Sequence, residues 1–463
     1  MLKVLFKKEI LENLTTRRFI IVLGLCFLVI PFSIYIGDRD YEHREQAYEK
    51  STRTFLEDHK VVGDLLYSGV KAFRPPSSLS FISQGLELVL PNIVESQTSI
   101  IETPPIDLHL NNGQSYENLY TSLHGPLDLV FIVSVIMTFL AIIFSFGAIS
   151  GEKEQGTLKM ILCNAVPRHH ILMSKIAANF LMLVIPFLLA IVMGMVILAA
   201  RSSNLFISES SILSIAIALV FSFLTIGVFF NLGLWISALT HQAVTSFVIL
   251  LLCWAFLFGI YPRISVIFSQ LLYPVKSQQL VLLERNQIRL ENEKALATEL
   301  DRIANSDGNS QEKQDAITAE FRAKLTDQLQ KHDENTENRR NTQMQIAINL
   351  ARISPIGCFM RPMAEVSRTG WMQYRKFIQD VSRYRRELDE QVYSKYQMSH
   401  DKYGGGGVTF TGDRLAPAPV LQVSVVHSDE IIKNILPDAG LLLVYNIFFF
   451  FAAFIAFRNY DAR

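Results

Sequence analysis

The sequence predicts an all-α polytopic membrane protein: a six-helix transmembrane bundle with an N-terminal interfacial helix and a mainly helical extracytoplasmic domain that has a small β part. Three observations carry this prediction. Half of the 463 residues are apolar. They gather into six long blocks that hold no Asp, Glu, Lys or Arg. The stretches between the blocks are strongly charged. A helix needs about 20 apolar residues to cross the hydrocarbon core, and helices of soluble cores seldom run that far without a charge. Length alone suggests about three soluble domains, but so uneven a distribution of apolar residues excludes that reading.

The elements follow in order. Residues 1–18 are too short to span. Leu2, Leu5, Phe6, Ile10 and Leu14 recur at helical spacing, with Lys3, Lys7, Lys8, Glu9 and Glu12 elsewhere. That is the pattern of an amphipathic helix in the cytoplasmic interface; a helical extension of the first span is the alternative. Spans are expected at 19–36, 129–149, 176–200, 212–239, 243–261 and 439–457. The fourth is long enough to tilt, or to break near Gly227 or Gly233. Pro186 is expected to kink the third. The first block lacks a small-residue cleavage site behind it, so it is expected to remain as a span and not to act as a signal peptide.

Lys and Arg in the short flanks orient the bundle. With the N-terminus inside, the inner flanks carry Lys3, Lys7, Lys8, Arg17, Arg18, Lys153, Lys159, Arg168, Lys175, Arg458 and Arg463. The short outer loop 201–211 carries Arg201 alone. Both termini, the loop 150–175, the turn 240–242 and the tail 458–463 are therefore expected in the cytoplasm. The long segments 37–128 and 262–438 are expected outside, and long translocated segments are exempt from the charge rule.

The first outer segment opens with a charged, helix-prone run at 38–58. Arg74-Pro75-Pro76-Ser77-Ser78 then reads as a helix start. Leu79, Ile82, Leu86, Val89 and Ile93 follow at helical spacing. That helix lies either on the outer membrane surface or on the second outer segment. In the latter, residues 276–350 are rich in Glu, Lys, Gln and Ala and predict a helical hairpin turning at Asp307-Gly308. Its thin apolar seam suits a solvated stalk. Trp371, Tyr374, Ile378, Val381, Leu388 and Val392 mark a helix over 371–396 with one buried face. Glycines at 404–407 end the helical part, after which 409–411 and 421–425 alternate as short strands do.

Several function classes are disfavoured. There are 43 basic and 43 acidic residues, which argues against a nucleic-acid partner. Cys26, Cys163, Cys253 and Cys358 form no disulfide framework or metal pattern. Gly151 and Gly156 have the glycine spacing of a phosphate loop, but Thr157 and Leu158 stand where Lys and Ser or Thr are required. His169 and His170 are adjacent and so point to different helix faces. No catalytic or metal-ligating constellation is expected.

The most informative stretch is the loop after the second block, Ser150-Gly151-Glu152-Lys153-Glu154-Gln155-Gly156-Thr157-Leu158-Lys159-Met160-Ile161-Leu162-Cys163-Asn164-Ala165-Val166-Pro167-Arg168. Here the chain resembles the permease subunits of ABC-2 type transporters, which carry an acidic, Gly-Thr-containing inner loop running into a short helix and a Pro-led turn. The resemblance extends over the six spans and the N-terminal helix. It includes Arg74-Pro75-Pro76 and Ile353-Ser354-Pro355 before Phe359, as in the subgroup with two large extracytoplasmic insertions. It implies an exporter subunit in a cell membrane, that of the bacterial inner membrane. Two such subunits, identical or paralogous, pair with an ABC ATPase that holds the ATP and Mg; no cofactor sits on this chain.

The resemblance makes 150–175 a coupling loop, with Glu152, Glu154, Gly156, Thr157, Leu158, Leu162, Pro167 and Arg168 as its docking residues. Leu158 and Leu162, one turn apart, are the expected anchors and Glu154 the orienting charge. The plain alternative is a charged turn kept in the cytoplasm by its lysines. Asn179, Asn231 and Asn446 are the polar exceptions within the spans. They either bond across helices or line a substrate route, and uncharged spans suit a lipid-like cargo. The rival to an exporter is a non-transporting scaffold or receptor whose helical outer domain binds a partner.

Overall fold

A computed structural model describes residues 2–60, 70–87, 89–90, 92–96, 109–110, 127–163, 167–201, 209–305, 311–391, 396–400, 406–410 and 420–460. Helix α1 (Leu2–Leu14) is a helix of its own. The chain breaks at Thr15 and Thr16, and Thr16 Oγ1 caps the next helix by accepting from Phe19 N–H at 3.4 Å. That helix, α2 (Arg17–Asp58), runs on for 42 residues through Pro31. The run 38–58 therefore continues the first span's helix, because it contains neither Gly nor Pro to stop it.

Among the described residues the further helices are α3 (Leu129–Glu154), α4 (Thr157–Cys163), α5 (Arg168–Arg201), α6 (Glu209–Leu239), α7 (Ala243–Leu272), α8 (Gln278–Ala304), α9 (Gln311–Ala351), α10 (Gly357–Val366), α11 (Trp371–Gln391) and α12 (Ser428–Arg458). Six of them, α2, α3, α5, α6, α7 and α12, are long and apolar enough to cross a membrane. The fold is all-α and polytopic. One end of the bundle carries the α3–α5 loop and the other carries α8 and α9; these are called here the loop end and the stalk end.

The core runs along α3. Of its most apolar stretch 67% is buried, against 11% in α7 and 17% in α12, so α3 is central and the last two are peripheral. Buried hydroxyls in α3 satisfy themselves locally. Ser134, Thr138 and Ser145 each donate to the carbonyl four residues back, at 2.6, 2.6 and 2.7 Å. Trp254 Nε1 of α7 adds a bond to Thr138 Oγ1 at 2.9 Å. The break expected near Gly227 or Gly233 does not occur, since α6 is continuous. Both glycines admit close neighbours instead. A Cβ on Gly233 would lie 1.8 Å from Ser145 Oγ, and one on Gly227 would lie 2.7 Å from Asn446 Oδ1.

At the stalk end two expectations fail. The stretch after Arg74 forms turns, and Ile93 begins a strand. Leu79, Phe81 and Ile82 are nonetheless buried in the bundle core. Gly85 sits at φ +47°, a left-handed conformation that interrupts any helix there. The segment packs on the second outer segment: Ser77 Oγ donates to Ser367 O at 2.6 Å and Thr369 Oγ1 to Ser83 O at 2.9 Å. Residues 421–425 form no strand. Their backbone is tied to α11 through side chains, with Ser424 N–H on Asp380 Oδ2 at 2.7 Å and Gln373 Nε2 on Ser424 O at 3.0 Å.

Among the described residues the strands are β1 (Val70–Phe73), β2 (Ile93–Ser96) and β3 (His109–Leu110) in one antiparallel sheet. A second antiparallel pair is β4 (Tyr396–His400) with β5 (Gly406–Phe410). Helices α8 and α9 pack as the two arms of a hairpin; the expected turn at Asp307-Gly308 lies outside the described residues. Helix α11 buries Tyr374, Phe377, Val381 and Tyr384, with Phe377 and Val381 against Ala72 of β1 and Val94 of β2. The side chain of Leu388 and residue Val392 lie outside the description.

The stalk end is fastened to α12 through Asp438, which is wholly buried. Its Oδ1 accepts from Arg352 Nε at 2.8 Å, and its Oδ2 accepts from Arg361 Nη2. Beside this cluster Cys358 is buried, its thiol pushed up to about 12, first by burial and then by the charge of Asp438.

Candidate functional site

The site is the stretch Ser150–Lys175 at the loop end. Its backbone is shaped by Gly156, whose φ of +71° is a left-handed conformation suited to glycine and ends α3. Helix α4 then starts at Thr157, whose Oγ1 donates to Glu152 O at 3.4 Å. The loop is seated on α6 by Ser237, whose Oγ accepts from the N–H groups of Ile149 and Ser150 at 3.1 and 3.0 Å.

Four charged side chains of the loop each reach a different helix. Glu152 Oε1 pairs with Lys175 Nζ of α5 at 2.5 Å, and the same ammonium pairs with Glu9 Oε1 of α1 at 3.0 Å. Lys175 is 4% exposed, so this three-member ion cluster is screened from water and tightly directed. Lys153 Nζ donates to the carbonyls of Ala238 and Thr240 at the C-terminus of α6 and lies 4.7 Å from the ring of Tyr460. Glu154 Oε2 accepts from Ala243 N–H, the first amide of α7, at 3.0 Å. Arg168 Nη1 donates to the carbonyls of Arg458 and Tyr460, at the C-terminus of α12, at 2.6 and 3.0 Å. Cations thus sit on helix C-termini and an anion on a helix N-terminus, as the helix dipoles favour.

The structure redistributes the roles expected of these residues. Leu158 is not a surface anchor. It is wholly buried with Ile149, Ile171, Leu172, Ala238 and Phe457, and so holds α4 to the bundle. The reason is amphipathicity: a seven-residue helix lying on the bundle must turn one apolar side inward. Met160, 72% exposed, is an apolar residue that α4 turns outward, beside exposed Lys159. Pro167 is exposed, while the side chain of Leu162 lies outside the description.

The three asparagines separate. Asn179 lies near the loop end and accepts from Asn13 Nδ2 of α1 at 2.7 Å. Asn231 Nδ2 donates to Asn446 Oδ1 at 3.1 Å, and Asn446 Nδ2 donates to Leu224 O and Leu442 O, both at 2.9 Å. This pair borders an open groove of 540 Å³ between α5, α6 and α12, otherwise lined by apolar residues such as Phe180, Phe223 and Phe450.

Sequence reasoning missed Lys175 and Glu9 as site residues. The available signal was a lysine set directly against an apolar block and an acidic residue on an otherwise basic helix. Asp438 was also missed, standing one residue outside the expected sixth span.

A search of curated proteins finds no significant match to this chain. The family model described as ABC-2 family transporter protein matches residues 3–461. Six membrane-length apolar helices joined at one end by a charged helical loop fit that match, and the chain belongs to the ABC-2 transporter family, as a multi-pass membrane permease.

Proposed function

We propose that the chain is the membrane subunit of an ABC exporter, that it works with a separate ATPase subunit and a second permease subunit, and that the 150–175 loop is where the ATPase pushes. The loop end then faces the cytoplasm and the stalk end lies outside, in a bacterial inner membrane. The supporting observation is that this stretch is tied to four other helices through separate polar links: α1 through Lys175, α6 through Lys153, α7 through Glu154 and α12 through Arg168. A displacement of this loop must move or break each link, so a partner that binds one loop position better than another shifts the whole bundle. Hydrophobic or lipid-like cargo is favoured by the apolar groove beside Asn231 and Asn446.

The docking side of α4 is its exposed one, around Met160. The variants Met160→Asp and Leu162→Asp, purified in mild detergent beside a stalk control Gln330→Asp, are expected to lose at least tenfold of the co-purifying ATPase and of its ATP turnover. An anchor replaced by a charge carries this cost because few interface residues supply most of the energy. If both variants keep the full complement of ATPase, the coupling assignment is wrong, and a scaffold or receptor acting through its stalk becomes the better reading.

A further inference from the structure

The groove between α5, α6 and α12 opens sideways from the bundle, and Val220, Ile447 and Phe451 on its rim are 54–55% exposed. Ring contacts fix its walls: between centroids, Phe180 stands 5.6 Å from Phe230, and Phe187 backs Phe223 at 5.9 Å. The floor lies at Gly227, where the missing side chain lets α12 bring Asn446 against α6. Its 540 Å³ falls in the range of small-molecule sites, which are lined mainly by apolar and aromatic groups with a few polar ones that set orientation. None of the described residues lining it is charged.

The two polar side chains are the asparagines, and their bonds are unevenly used. Asn446 Nδ2 donates to Leu224 O and Leu442 O, so its Oδ1 is the atom that receives Asn231 Nδ2. That network fixes both amide orientations and turns Asn231 Oδ1 away from Asn446. Among the described residues no donor reaches this oxygen. Asn231 lies eight residues from Leu239, about 12 Å along α6, and Asn446 lies twelve residues from Arg458, about 18 Å along α12. Both depths are near the middle of a hydrocarbon core about 30 Å thick. Water does not answer an acceptor there, and leaving it without a donor is costly. Phospholipid tails carry no O–H or N–H, so plain lipid fills the groove without satisfying the oxygen.

We infer that the groove binds a neutral hydroxylated hydrocarbon, a long-chain alcohol in its simplest form, whose O–H donates to Asn231 Oδ1. An acid or a phosphate does not suit it, since no cation lines the groove to hold the charge. A hydroxyl brings the one donor needed, whereas an amide also brings a carbonyl that needs a donor of its own. The fixed aromatic walls take the hydrocarbon. The inference gives a chemical class to the hydrophobic cargo proposed above, and as a statement about cargo it rests on that reading; the site itself does not.

Photolabelling of the full chain in lipid nanodiscs tests it, with two probes: 1-hexadecanol carrying a mid-chain diazirine, and the methyl ether of the same molecule, which accepts a hydrogen bond but cannot donate one. Mass spectrometry is expected to find the label on 220–231 or 446–451, at least threefold more from the alcohol than from the ether. Asn231→Leu is expected to bring the alcohol down to the level of the ether. Ile447→Trp, a change at an exposed rim position that costs little packing, is expected to lower labelling by both probes at least threefold. Equal labelling by alcohol and ether in the unsubstituted chain overturns the inference, whether or not the Asn231→Leu chain folds. So does an alcohol preference that survives Asn231→Leu. An alcohol preference in a chain that binds no ATPase supports the site and removes the coupling reading instead.

Discussion

The two ends of the bundle use charge in opposite ways. At the loop end the links are dispersed: four charged side chains of one loop go to the ends of separate helices, and most of their partners are backbone groups. At the stalk end one cluster converges, beside separate pairs such as Arg201 with Asp38 and Arg44 with Glu87. One buried carboxylate, Asp438, is gripped by Arg352 and Arg361, which lie within ten residues of each other on the same segment. A convergent clamp holds one arrangement tightly and fails as a unit. Dispersed links are individually weak, and helices joined by them can shift by exchanging partners. The stalk-end cluster thus resists rearrangement more than the loop-end links do.

The largest effect expected from breaking this contrast is at Asp438. Asp438→Ala strands two guanidinium groups that are 18–23% exposed, and removing one partner of a buried ion cluster costs about 3 kcal/mol. Thermal unfolding in detergent should show that loss, together with protease cleavage appearing near Gly357–Val366; an unchanged melting temperature would mean that the clamp carries no stability. Lys175→Met should come next, at about 2 kcal/mol, since Glu9 and Glu152 are left facing each other but are 13–20% exposed and can turn toward water. The readout is faster proteolysis of Leu2–Leu14 with the stalk end unaffected, and concerted loss of both ends would erase the distinction drawn here. Glu154→Gln should be smallest, about 0.5 kcal/mol, because it weakens one exposed charge on the α7 N-terminus and salt already screens it. A large effect from this single link would show that the loop end, too, behaves as one clamp.

The spans were legible because lipid imposes one rule on every residue of a block, and an uncharged run of 18 or more satisfies it. Their helical ends were not. Helix α2 continues to Asp58 and α7 to Leu272, since leaving the bilayer changes which residues are tolerated without terminating a helix. The failure at 79–93 has a different cause. Leu79 and Ile82 are buried, as their spacing suggested, but in turns shaped by Gly85 and by bonds to Ser367 and Thr369, which lie some 290 residues away in sequence. In the loop the residue types were readable and their partners were not. Lys153 and Arg168 bind carbonyls, and a carbonyl at a helix end has no sequence signature. Leu158 and Met160 are equally apolar in the sequence; only the packing of α4 decides that the first is buried and the second is exposed.

Helix α2 carries a mechanical consequence. Its 42 unbroken residues make a rod of about 63 Å. Part-way along, Asp38 is pinned to Arg201 of α5 at 3.1 Å, which supplies a fulcrum. A tilt of one degree swings the free tip by roughly 1 Å relative to the base. Displacements at the end where α1 joins α2 are thereby carried, reversed in direction and nearly equal in size, to Asp58, beside the sheet that backs α11. The helix is a lever, and its far arm lies at the stalk end.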